Sequence, residues 1–192
     1  MMKVSIGVSA RHVHLTRETY VKLFGDDYLE KLRDLDQPGQ FATMSVLTLQ
    51  NDDYEIPNVR ILGPFRDYNQ VEVSRTDCHQ LHLTTEVRTS GDIKGTTGIT
   101  LVGPVGKVKL KEGLILANRH IHMLPSDVEK YGLQDVKTVC VKVDGEKGGI
   151  MKNVYLKVLD EAALRLHLDT DDANAFDLKD DDEVEVFIER EN

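Results

Sequence analysis

Residues 10–16 read ARHVHLT, and residues 117–124 read ANRHIHML. Histidine, aliphatic, histidine alternates with the period of a β-strand, so each pair projects two imidazoles from one face, about 6–7 Å apart along the chain. Self-similarity at a long interval marks duplicated structural units, which restricts the fold more than any bulk property does. An offset of 108 residues places Arg11 on Arg119, His12 on His120, Val13 on Ile121 and His14 on His122. Farther along, an offset of 95 places Asn58 and Val59 on Asn153 and Val154, then Val71, Glu72 and Val73 on Leu166, His167 and Leu168, then Asp77 on Asp172. The change in offset predicts an insertion in the first half, within residues 25–41.

The remaining pattern is mainly β. Apolar residues alternate at Val4, Ile6 and Val8, at Val108 and Leu110, at Val139, Val141 and Val143, and at Val184, Val186 and Ile188, as half-buried strands require. Helical patterning is short and follows each histidine pair, around residues 17–24 and 127–131. Thr16 suits the cap of the first of these helices and Pro125 the first turn of the second. The chain reads as two tandem related β units, residues 1–90 and 91–192, with a boundary near residues 90–98 and room for exchange of segments between them.

A chain of 192 residues that is 40% hydrophobic and 30% charged fits a globular protein. It has no apolar run long enough to span a bilayer and no signal-peptide pattern at its start, so neither a membrane partner nor export is expected. A formal net charge of −9 opposes nucleic acid binding. Cys78 and Cys140 are isolated, without the spacing of a thiolate zinc knuckle, and the acidic residues 180–183 read as a solvated turn.

Two histidines and a carboxylate, or three histidines, are the ligand sets that zinc takes when a fourth position stays open for substrate. The repeat supplies one set per half: His12, His14 and Glu72, then His120, His122 and His167. His79 and His82, in a polar segment, are expected at the surface. Arg66 follows a Gly-Pro turn six residues before Glu72, where a guanidinium could clamp a phosphate with paired hydrogen bonds; a surface ion pair is the alternative. Arg11 and Arg119 are expected to be structural, pairing with carboxylates between the halves, and Arg75 with Asp77 locally.

The motifs VSARHVHLT, QPGQFA, NVRILGPFRDYNQVEVSRTD, SGDIKGTTGITLVGP, LILANRHIHM and LHLDTDDANA strongly resemble the PduL-type phosphate propanoyltransferase (phosphotransacylase) family. The resemblance spans residues 4–187. It implies two tandem β-barrel domains with short α-helices and a dinuclear zinc site between them. It also implies reversible exchange of acyl-CoA and phosphate for acyl phosphate and CoA. The same six residues match the family's zinc ligands, and Arg66 matches its catalytic, phosphate-binding arginine. Ser9, Ala10, Arg11 and Asn174 match positions associated with CoA, although Ala10 stands where asparagine is common. Microcompartment members carry an amphipathic extension that is not seen here, which favours the cytoplasm. A homo-oligomer is left open. The competing readings are a dinuclear zinc hydrolase, which would turn over esters without CoA, and a metal-binding module without activity.

Overall fold

The computed structural model describes residues 2–189. In chain order the elements are β1 (Met2–Ser9), β2 (His12–His14), α1 (Arg17–Phe24), β3 (Lys31–Asp34), β4 (Phe41–Asn51), β5 (Tyr54–Gly63), β6 (Gln70–Glu72) and α2 (Arg75–Gln80). Then come β7 (Val87–Arg88), β8 (Thr100–Val102), β9 (Lys107–Lys109), β10 (Leu114–Ala117), β11 (His120–Met123) and α3 (Pro125–Tyr131). The last are β12 (Thr138–Val143), β13 (Gly149–Val158), β14 (Arg165–Asp169), α4 (Thr170–Ala175) and β15 (Glu183–Phe187).

These elements form two compact units, but not by a cut near residue 90. One unit is Ala10–Ala117; the other joins the chain up to Ser9 to the chain from Asn118 onward. The cause is strand pairing. β1 runs parallel to β14, with Ile6 opposite Leu166 and Gly7 opposite His167. β10 runs parallel to β6, with Leu114 opposite Val71 and Ile115 opposite Glu72. Each strand that leads into a histidine pair is therefore built into the unit of the other pair. Parallel partners are joined by long crossovers, so no local sequence signal marks the exchange.

In the unit formed by the chain ends, the order β1-β14-β11-β13-β12-β15 closes on itself as a barrel. β15 returns antiparallel to β1, with Val184 opposite Val4. The strands β10-β6-β2-β5-β4-β8 of the other unit follow the same order one for one. There, among the described residues, the corresponding seam is crossed by one bridge, Thr97 to Leu114, and β7 and β9 extend the two sides of the sheet. One unit is a closed barrel, and the other is a curled half-barrel sheet with the same strand order. β3 lies in the predicted insertion and, off the main path of the sheet, pairs with β4.

Each unit has its own core. Val13, Val59, Ile61, Val71 and Leu114 pack in one, and Ile121, Val154, Leu166, Val141 and Val184 in the other. Burying such a side chain contributes about 1.5–3 kcal/mol. Val13 and Ile121 are both fully buried, and because neighbours on a strand face opposite ways, this commits the flanking histidines to the other face. Truncating Ile121 to alanine would cost roughly 2–5 kcal/mol.

Caps set the short helices. Thr16 accepts from the Thr19 N–H to begin α1, which ends at Gly25 with φ 87°, a conformation glycine adopts without strain. Leu124 precedes α3 and has no side chain able to cap; the Asp127 carboxylate instead accepts from the Leu124 N–H at 3.0 Å. α2 and α4, absent from the periodicity, start alike, as Ser74 accepts from the Asp77 N–H and Asp169 from the Asp172 N–H. The repeat also reaches the backbone: Asn58 and Asn153 both take left-handed φ, 60° and 57°. Among the described residues no helix is long and apolar enough to cross a membrane.

Candidate metal centres

The first cluster lies on two strands of the curled half-barrel sheet. β2 and β6 are antiparallel with His12 directly opposite Glu72, and His14 shares the face of His12 two residues on. Their ligand atoms all lie within 4.8 Å of one another. His12 Nε2 and Glu72 Oε2 are 3.5 Å apart, long for a hydrogen bond. It is close to the roughly 3.3 Å that separates two ligand atoms held about 2.0–2.1 Å from one tetrahedral ion. The His12 Nδ1 faces the Ala10 carbonyl at 2.9 Å. Donation to that oxygen places the proton on Nδ1 and leaves the Nε2 lone pair directed at the cluster.

The second cluster repeats this on the barrel. β11 and β14 are antiparallel with His120 opposite His167, and His122 follows two residues on; these ligand atoms also lie within 4.8 Å of one another. The ring centroids are 4.8 Å (His120 to His122), 5.3 Å (His120 to His167) and 4.3 Å (His122 to His167) apart. His120 Nδ1 faces the Asn118 carbonyl at 2.8 Å, the counterpart of His12 and Ala10. His122 is 4% exposed, and its Nε2 is buried without a hydrogen-bond partner. Burial, and then the neighbouring His167, His120 and Lys157, push its pKa down to about 2. A neutral imidazole with a sheltered, unsatisfied nitrogen is what a metal ligand must be, so both sets fit a divalent ion with an open position.

Arg11 and Arg119 brace these sets from within their own units, not between halves as expected. Arg11 Nε donates to Asp77 Oδ1 at 2.8 Å and Arg119 Nε to Asp172 Oδ2 at 2.9 Å. Each acid sits in the first turn of the helix that follows a third-ligand strand. The bridge therefore ties the start of the histidine strand to the end of the other ligating strand. Asp77 is thus taken by Arg11, and Arg75 donates to the Thr85 carbonyl instead.

Arg66 belongs to the unit of the first cluster. Its N–H donates to the carbonyl of Leu15, the residue after His14, at 2.9 Å. The guanidinium donates to Tyr68 Oη at 3.0 Å and Gln40 Oε1 at 3.2 Å, both neutral groups. Among the described residues no carboxylate pairs with it. The four CoA candidates are not gathered in one unit: Ser9 and Asn174 fall in the barrel unit, Ala10 and Arg11 in the other. Ala10 faces His12 through its carbonyl, and Arg11 is engaged by Asp77. His79 and His82 are exposed, His82 stacked on Tyr54 with ring centroids 3.8 Å apart. Cys78 and Cys140 are buried and form no disulfide among the described residues, and they lie in neither cluster.

Sequence reasoning missed Gln70, whose amide meets Glu72, and Lys157, which lies opposite His122 in the β11–β13 ladder. Gln70 could have been found from its position two residues before Glu72, on the same strand face. Lys157 depends on a pairing that the sequence does not reveal.

A family model described as phosphate propanoyltransferase matches residues 5–179. Among curated relatives, a phosphate propanoyltransferase of Thermotoga maritima is 46% identical over 90% of this chain and 83% of its own. Relatives of the same description from Lachnoclostridium phytofermentans, 47% identical over 90% of this chain and 81% of theirs, and Rhodopseudomonas palustris, 42% over 96% and 82%, are similar throughout.

Proposed function

Because this chain belongs to the phosphate propanoyltransferase family, a family of acyltransferases, we propose that it moves a propanoyl group reversibly between the sulfur of coenzyme A and inorganic phosphate, using two zinc ions. His12, His14 and Glu72 would hold one ion, and His120, His122 and His167 the other. Acetyl-CoA would be served by the same chemistry. When bound, zinc supplies Lewis-acid stabilisation of oxyanions and of a thiolate at neutral pH. The chain's own residues do the rest. The Arg66 guanidinium fixes two phosphate oxygens and offsets their charge, so that a third oxygen can attack the thioester carbonyl carbon. The new C–O bond forms, the C–S bond breaks, and the electron pair leaves on the CoA sulfur. The reverse reaction is attack of that thiolate on the acyl phosphate. The reaction needs no covalent acyl-enzyme.

The observation that carries this reading is Arg66, a partly buried guanidinium whose partners among the described residues, Tyr68 and Gln40, are neutral, and which is tied through its main chain to the residue after His14. An inert metal store has no use for an uncompensated cation there, and a hydrolase needs no phosphate acceptor. The test is thiol release from propanoyl-CoA. Release should require phosphate, stop on chelation and return with zinc. Release without phosphate would instead indicate hydrolysis, and no release from zinc-loaded protein would overturn the assignment.

A further inference from the structure

We infer that Gln70 is a positioning residue for the first metal centre, its amide holding the Glu72 carboxylate so that one oxygen is kept for the metal. This rests on the assignment of His12, His14 and Glu72 as a metal site. Gln70 is completely buried. Its Nε2 donates to Glu72 Oε1 at 2.6 Å and to Ser90 Oγ at 2.8 Å, and its Oε1 accepts from the Gly91 N–H at 2.7 Å. The amide's orientation is therefore fixed, because only its oxygen can accept from Gly91 and both its hydrogens are then used. One carboxylate oxygen is occupied by the amide while the other, Oε2, is the atom 3.5 Å from His12 Nε2.

The second unit shows what happens when the carboxylate is absent. The 95-residue offset that places Glu72 on His167 places Gln70 on Arg165. Arg165 pairs with Asp181 at 2.9 Å and Asp180 at 3.6 Å. The third ligand and the residue two positions before it differ together: amide with carboxylate, guanidinium with imidazole. A carboxylate ligand can rotate and bind through either oxygen, and an amide on one of them removes that freedom. Such outer partners typically govern metal affinity by about 10–100-fold. Ser90 and Gly91 anchor the amide, and Gly91, at φ 100°, holds a conformation that disfavours a side chain.

The experiment is a Co²⁺ titration of metal-free protein, read from the visible absorption of the bound ion and repeated with Zn²⁺ in competition with a chromophoric chelator. Gln70→Met should weaken one of the two sites by about 10-fold or more and leave the other unchanged. In the Glu72→His background, which restores a three-histidine set, Gln70→Met should change affinity less than about twofold. Gln70→Asn, whose amide is withdrawn by one methylene, should act as Gln70→Met does and keeps the test open if the latter does not fold. Wild-type affinity in these variants, or an equal loss in both backgrounds, would overturn the inference. If wild-type protein shows no Co²⁺ site weakened by Glu72→Gln, the metal assignment itself falls.

Discussion

Arg11 reaches Asp77 with both Nε and Nη2 at 2.8 Å from the same oxygen, Oδ1. The acid is 2% exposed, and its other oxygen accepts from the Ser74 N–H at 3.0 Å. In the barrel unit Arg119 donates to Asp172 through Nε, while its Nη1 donates to the Lys152 carbonyl, and the acid's side chain is 22% exposed. Removing the partner of a buried acid leaves that acid unsatisfied, although Arg11 itself is partly exposed. Arg11→Ala should therefore cost roughly 1–3 kcal/mol and Arg119→Ala about 0–1 kcal/mol. Urea denaturation of metal-free protein measures both, and a larger loss at Arg119 would contradict the difference in burial.

His122 gives the metal-free protein a defined pH response. In the unfolded chain this imidazole titrates near 6.5, and in the fold burial and its neighbours lower it to about 2. Between those values the unfolded state binds the extra proton, so stability falls as pH drops below about 6.5 and is unaffected by this group above it. Denaturation midpoints at pH 7.5 and 5.5 should fall further for wild type than for His122→Leu. Equal losses would show that His122 is not held neutral.

Arg66→Ala should lower kcat/KM for phosphate about 100-fold or more, as loss of a fixed donor to a reacting oxyanion typically does, with Arg66→Lys retaining part of the activity because its point charge lacks the paired geometry. Initial rates at varied phosphate decide this. Normal saturation by phosphate in Arg66→Ala would remove the arginine from the phosphate site.

The six clustered side chains were legible because a metal set is written in residue types and a β-strand keeps period two. Glu72 and His167 needed the repeat as well, since nothing local distinguishes them from other polar residues on strands. Helix α1 was legible from Thr16 to Phe24 for the same local reason. The exchange of β1 and β10 was not, because a strand's alternation says that one face is buried but not which sheet it joins. Val4, Ile6 and Val8 would read alike in either unit. Closure was hidden too, for it depends on β15 finding β1 across most of the chain. Helices α2 and α4 were too short for periodicity to register. Their signal was the cap, Ser74 with Asp77 and Asp169 with Asp172.

The most direct measurement is the zinc content of purified, dialysed protein beside two single variants, one from each cluster. Wild type should hold two zinc ions per chain, and His14→Ala and His122→Ala one each, with phosphate-dependent thiol release from propanoyl-CoA lost in both. A wild-type protein active without metal, or variants that keep both ions, would contradict the two-site account.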